Sequence, residues 1–232
     1  MKVAVLSDVH ANIYALRSVL NDLDKEGVES ILVAGDLIGY YYWPLEVVKA
    51  LKEDARVHCI RGNHESILKE TLINVEAAER YRIKYGTGYD VCREQLSDSQ
   101  INWLLCLPSE KHILLGNKTF YLSHGSLSCT DEYLYPDTPH EKLLENYSEA
   151  DYTIFGHTHY PFTHGNDGQY LINPGSVGQP RDIGGIASFV IIDTENNCIL
   201  FKRKSFDIAS VVSEVEKRDP SLNYLAMIMK RG

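Results

Sequence analysis

Six short apolar runs mark the chain, at residues 3–6, 31–34, 57–60, 120–122, 153–155 and 170–172, and each stops abruptly at small or polar residues. Runs this short, rich in β-branched and aromatic side chains and bounded by Gly or Ser, predict buried strands. Between the first two, Asn12 stands where a helix N-cap belongs, Ile13, Leu16, Val19, Leu20 and Leu23 follow at helical spacing, and Gly27 closes the segment. Pro44 opens a second helix whose Val47, Val48 and Leu51 face the core. The stretch 65–105 reads as helical, interrupted at Gly86-Thr87-Gly88, with Ser97 as the N-cap of its last segment.

The second half is richer in strands. Gly116-Asn117 is a two-residue hairpin signal between 111–115 and 118–122, and 187–193 is expected to pair with 198–202. A last amphipathic helix spans 206–217 through Ile208, Val211, Val212 and Val215. This pattern predicts one early, mostly parallel sheet and one late, mostly antiparallel sheet, packed face to face with helices outside. No internal repeat, low-complexity tract or linker interrupts it, so a single domain over 1–232 is expected.

The residues just beyond the strands bring in chemistry. Asp8 and His10 follow the first run, Asp36 the second, Asn63 and His64 the third, His124 the fourth, and His157 with His159 the fifth. In open α/β sheets ligands gather beyond the carboxyl ends of the strands, so residues spread over some 150 positions can meet in one crevice. Asp8 and His10, like His157 and His159, are two apart, and in extended chain such pairs project to one side. Gly35 and Gly62 precede Asp36 and Asn63 and allow a tight turn there. Imidazole, carboxylate and amide donors without thiolate suit Mn, Fe, Co, Ni or Zn better than a structural Cys-type zinc site. The turn Asn173-Pro174-Gly175-Ser176 is expected beside the same crevice. His58, His112, His140 and His164 lack this context and read as structural or surface residues.

Composition narrows the class. A formal charge of −9 argues against a general nucleic-acid binder or an anionic-membrane binder. Five cysteines without CxxC spacing read as free thiols of a reducing compartment. The first apolar run is too short for a signal-peptide core and no run reaches a membrane span, so a cytoplasmic location is expected.

Asp8-Val9-His10, Gly35-Asp36-Leu37-Ile38-Gly39, Gly62-Asn63-His64-Glu65, Ser123-His124-Gly125 and Gly156-His157-Thr158-His159 resemble, in order and placement, the five motifs of the calcineurin-like metallophosphoesterases. The stretches 7–16 and 173–181 resemble the small bacterial and archaeal phosphodiesterase branch. The resemblance implies an α/β fold, α+β by some schemes, built as a four-layer αββα sandwich with two mixed β-sheets. It implies two divalent transition-metal ions, one held by Asp8, His10, Asp36 and His159, the other by Asp36, Asn63, His124 and His157. Two dications about 4 Å apart repel by about 17 kcal/mol at an effective dielectric near 20, which the shared Asp36 and a bridging hydroxide would offset. By the same resemblance that hydroxide attacks phosphorus, while His64 stays free of metal to stabilise charge or protonate the leaving oxygen.

The implied activity is a metal-dependent phosphodiesterase acting on a small phosphate ester. The alternatives are a phosphomonoesterase or protein phosphatase of the same fold, or a non-catalytic scaffold like the retromer subunit, against which the intact ligand set argues. Tyr41, Tyr42 and Trp43 follow Asp36 closely enough to wall the cleft and stack on a base or aryl group, or else to pack in the core. Arg181 stands either to reach a substrate phosphate or to remain a surface residue. Physiological substrate, native metal, regulation and oligomeric state are not encoded legibly, which leaves a homo-oligomer open.

Overall fold

A computed structural model describes residues 1–231. Along the chain lie β1 (Lys2–Leu6), α1 (Ile13–Glu26), β2 (Ser30–Ala34), α2 (Pro44–Glu53) and β3 (Val57–Ile60), then four successive helices, α3 (Asn63–Ile73), α4 (Val75–Tyr85), α5 (Gly88–Gln95) and α6 (Asp98–Leu105). The second half holds β4 (Glu110–Leu115), β5 (Lys118–Ser123), α7 (His140–Leu144), β6 (Tyr152–Ile154), β7 (Phe162–Asn166) and β8 (Gln169–Asn173). It closes with β9 (Ile186–Asp193), β10 (Cys198–Ser205), α8 (Ile208–Arg218) and α9 (Asn223–Met229).

Two mixed five-stranded sheets result, in the orders β10-β9-β1-β2-β3 and β4-β5-β6-β8-β7. The expected division into an early parallel and a late antiparallel sheet is corrected here. The late β9–β10 hairpin joins the early sheet antiparallel to β1, whereas β5, β6 and β8 run parallel. The reason lies in burial: Tyr152, Thr153 and Ile154 of β6 are all buried, as strands covered on both faces must be, and such strands favour the parallel interior of a sheet.

Alternation along the strands sorts the core into layers. Val3 and Val5 of β1, Leu32 and Ala34 of β2, and Val190 and Ile192 of β9 meet Phe120, Leu122, Ile154 and Ile172 of the second sheet. Ala4, Leu6, Ile31 and Val33 point the other way, onto Ile13, Leu16, Val19 and Leu23 of α1 and Val47, Val48 and Leu51 of α2. The outer face of the second sheet is covered more thinly, by Leu134 and by Leu143 of α7 over Phe155 and Leu171. The layers therefore run helices, sheet, sheet, helix. Among the described residues no helix is long and apolar enough to cross a membrane.

Candidate metal centre

Every ligand candidate sits just past the carboxyl end of a strand: Asp8 and His10 after β1, Asp36 after β2, Asn63 after β3, His124 after β5, and His157 and His159 after β6. Three overlapping groups form, Asp8 with His10 and His159, His10 with Asp36 and His64, and Asp36 with His124 and His157. Asp36 belongs to two of them, and in each group the donor atoms lie within 4.8 Å of one another.

The hydrogen bonds fix which atoms face inward. His10 Nδ1 lies 3.2 Å from the Ile38 carbonyl, His124 Nδ1 2.7 Å from that of Ala34, and His159 Nδ1 2.6 Å from that of Gln179. A carbonyl only accepts, so each Nδ1 carries a proton and each ring turns its Nε2 inward, where, against burial, the Asp36 carboxylate pushes His124 up to about 10 without metal. Yet His10 Nε2 and His159 Nε2 are 3.0 Å apart. His124 Nε2 is 3.1 Å from Asp36 Oδ2 and 3.1 Å from Asn63 Oδ1. Asp8 Oδ1, 3.3 Å from His159 Nε2, and His157 Nε2 are both buried without a hydrogen-bond partner. The His10 and His159 Nε2 atoms at 3.0 Å and the unpartnered Asp8 Oδ1 and His157 Nε2 are polar atoms out of water that a cation among them would satisfy. The donor set thus fits divalent metal.

Each aspartate uses one oxygen for structure and keeps the other for the centre. Asp36 Oδ1 accepts from the His64 backbone N–H at 2.9 Å, and Asp8 Oδ2 from that of His157 at 3.1 Å. Burial raises both carboxyl pKa values, but the neighbouring histidines, His124 at Asp36 and His159 at Asp8, outweigh it and hold both groups ionised. Burial depresses His64 and His157 to about 4, so both rings are neutral at pH 7.

Local backbone strain marks the same place. Among the described residues nine non-glycine positions have positive φ, and seven of them, Asp8, His10, Ala11, Asp36, Tyr40, His157 and His159, lie on these loops. Such conformations cost about 1–3 kcal/mol each and persist only where the surroundings enforce them. The 173–179 segment supplies much of that enforcement, and the turn expected beside the crevice is there. Ser176 Oγ donates to the Asp8 carbonyl at 2.7 Å, and Asn173 Nδ2 donates to the Gly156 carbonyl at 2.6 Å. Gly62 is required by proximity: a Cβ there would strike the Asp36 carboxylate.

Glu65, which closes the Gly62-Asn63-His64-Glu65 motif, is the brace of the Asp36 loop. Its carboxylate accepts from the backbone N–H groups of Gly62, Asp36, Leu37 and Ile38 at 2.7 to 3.3 Å. Burial and the Asp36 charge push it up to about 7, against the pull of those donors. The Gly-Asn-His-Glu run, with Glu at the third position of a helix, was the available signal.

His64 points its Nε2 to within 4.0 Å of Asp36 Oδ2, while its Nδ1 meets the Tyr89 hydroxyl at 2.7 Å. The aromatic-loop expectation is corrected. Tyr41 and Tyr42 are buried against α8 and α9, with hydroxyls donating to the Leu225 carbonyl at 3.3 Å and to Asp219 Oδ2 at 2.7 Å. Trp43 packs edge-on against Tyr14 of α1. None of the three faces the cleft, because the C-terminal helices claim the outer side of that loop. The ring that does approach the centre is Tyr40, 4.7 Å from His10 and 4.8 Å from His64 between centroids. Arg181 is half-buried beyond it, its Nη2 3.4 Å from the Tyr40 hydroxyl. Tyr85 and Tyr133 also border the centre, against His64 and His157 respectively. The spacing Tyr81, Tyr85, Tyr89 could have indicated a tyrosine face.

Comparison with known proteins agrees with this geometry. A sequence model described as the calcineurin-like phosphoesterase superfamily domain matches residues 1–197. The chain is 32% identical to the uncharacterised protein MJ0912 of Methanocaldococcus jannaschii, over 93% of this chain and 92% of that one. It is 22% identical to phosphodiesterase YfcE of Escherichia coli, over 84% and 89%. Among solved structures, a metallophosphoesterase from Sphaerobacter thermophilus superposes with a TM-score of 0.79 at 28% identity, covering 100% of this chain and 99% of that one.

Proposed function

The chain belongs to the calcineurin-like phosphoesterase superfamily and is a phosphoric ester hydrolase, and from that premise we propose that it is a phosphodiesterase working at a two-metal centre. One ion is assigned to Asp8, His10, Asp36 and His159, the other to Asp36, Asn63, His124 and His157. The observation that carries the assignment is the 3.0 Å approach of the His10 and His159 Nε2 atoms. The imidazole, carboxylate and amide set suits Mn, Fe, Co, Ni or Zn. When bound, such ions lower the pKa of water and neutralise charge on phosphoryl oxygens.

The chain's own groups have distinct tasks in this reading. Asp36 spans the two ligand sets through Oδ2, while the His64 N–H holds its Oδ1. His64, a neutral ring, offers an N–H at Nε2 to a phosphoryl or leaving oxygen. Arg181, beside Tyr40, is assigned a peripheral contact to a phosphoryl oxygen. Diester preference is inferred from charge. The lining of the cleft leading to the centre sets Lys84 against Asp131, while its other carboxylate, Glu70, is paired with Arg80 at 2.8 Å, so its charges are nearly balanced. A dianionic monoester gains little from that balance, whereas a monoanionic diester is less opposed.

Asp36→Asn is the direct test. Elemental analysis of the wild type should find two metals per chain, with hydrolysis of a generic diester in Mn. The Asn variant should lose both metal and turnover more completely than variants of His10 or His157. Two tightly held metals and a near-normal rate in Asp36→Asn would sink the bridging assignment.

A further inference from the structure

The cleft outside the metal centre is built from tyrosines. It encloses about 570 Å³, with Asn63 and His157 at its inner end and Tyr81, Tyr85 and Tyr133 among its walls. Tyr85 lies 5.1 Å from His64 and Tyr133 stacks at 4.2 Å on His157, so ring systems from two separate elements flank the approach to the centre. Each is backed by a second ring: Tyr81 lies nearly parallel to Tyr85, at 9° and 5.9 Å, and Tyr135 to Tyr133, at 6° and 5.7 Å.

Three features argue for an aromatic occupant. Tyr133 and Tyr135 remain 46% and 37% exposed, which leaves large apolar faces in water beside a reaction centre. The wall is held in place, since Glu70 accepts from the Tyr81 hydroxyl at 3.0 Å and also binds Arg80 at 2.8 Å. The volume matters too. A phosphoryl group needs the metal centre alone, and about 300–1,000 Å³ is the size of sites that enclose a whole organic ligand. Lys84 lies over the Tyr85 ring at 4.8 Å. That exposed contact is worth only about 0.5–1 kcal/mol and yields readily to a planar group.

We propose that this cleft is a subsite for a planar aromatic ester group of the substrate, so that the enzyme takes phosphodiesters bearing a nucleobase or an aryl ring. The inference rests on the phosphodiesterase reading. Tyr85 and Tyr133 present the stacking faces, and the Asp131 carboxylate disfavours a further phosphate in the same space.

Binding is the test, measured by calorimetry on the Mn-loaded enzyme with two matched pairs, adenosine 5′-monophosphate against ribose 5-phosphate and phenyl phosphate against methyl phosphate. The aromatic member should bind ten-fold or more tightly in at least one pair. Preference in the first pair alone identifies a nucleobase, in the second alone an aryl group, and in both a general planar site. Tyr85→Leu and Tyr133→Leu should each bring the ratio towards one, and the exposure of Tyr133 keeps that variant folded. No preference in either pair, or a preference untouched by both substitutions, overturns the subsite. A parallel assay of diester hydrolysis separates the two claims, because an enzyme that hydrolyses diesters without aromatic preference has lost only the subsite. An enzyme that shows the preference but hydrolyses no diester has lost the phosphodiesterase reading.

Discussion

In the proposed reaction His64 owes its role to one phenol. Among the described residues the Tyr89 hydroxyl meets only His64 Nδ1, so its proton goes to that nitrogen and the ring's own proton stays on Nε2, towards Asp36 and the cleft. Burial keeps Tyr89 protonated well above neutral pH. Tyr89→Phe removes this hydrogen bond with little change of shape. It should lower kcat by about 10- to 100-fold, less for a diester with an aryl leaving group than for an alkyl diester, and leave metal content unchanged. Nitrogen-15 NMR of His64 should then report mixed tautomers; a single unchanged tautomer would refute the role given to Tyr89. The contrast with the candidate ligands shows what a sequence discloses at this scale. Asp8, Asp36 and His124 each follow an apolar run, so local pattern exposes them. Tyr89 acts on a residue 25 positions away, through a contact that exists only once α3 and α5 have packed.

At the scale of elements, the loop between β2 and α2 serves two masters. Its inner side presents Asp36 and Tyr40, while its outer side buries Tyr41 and Tyr42 beneath α8 and α9. Asp219, at the end of α8, fastens the arrangement by accepting from Tyr42 at 2.7 Å and from both the N–H and hydroxyl of Thr87 at 2.9 Å. Tyr42→Phe should therefore cost about 1–2 kcal/mol in urea unfolding, and KM for aryl and alkyl diesters should be unaffected. A selective rise in KM for the aryl diester would return Tyr42 to the cleft. Elements with strong local signals were legible: Asn12 caps α1, Gly27 ends it in the left-handed conformation, and Ser97 caps α6. β7 and α9 were not. β7 is an exposed-edge strand whose Thr163 and Gly165 face water, and α9 is a seven-residue helix made stable by packing rather than by its own pattern.

In the whole molecule, the metal centre is where two sheets that share a hydrophobic layer also share charge. The first sheet's strands deliver Asp8, His10, Asp36 and Asn63, and the second sheet's deliver His124, His157 and His159. The first sheet is itself closed by a hairpin nearly the whole chain away, β9 and β10 beside β1, so register across distant segments sets every donor distance. That non-local pairing is why the sequence pattern misassigned the late strands while still singling out the candidate ligands that the fold brings together: those candidates depend on where strands end, the sheets on which strands meet. Cations bound across the sheets should therefore act as fasteners. At a thousand-fold excess over Kd a bound ion adds about 4 kcal/mol of stability, and at about 2–4 °C per kcal/mol in a chain of this size the melting temperature should fall by about 10 °C with chelator and return with Mn. His157→Phe should shrink that metal-dependent increment with little change in the stability of the metal-free chain, because it keeps a packed ring against Tyr133 and removes a nitrogen that is an unpartnered buried acceptor there. Scanning calorimetry with and without chelator reads both quantities, and equal melting temperatures in the two conditions would mean that the acceptors crowded between the sheets are not joined by metal.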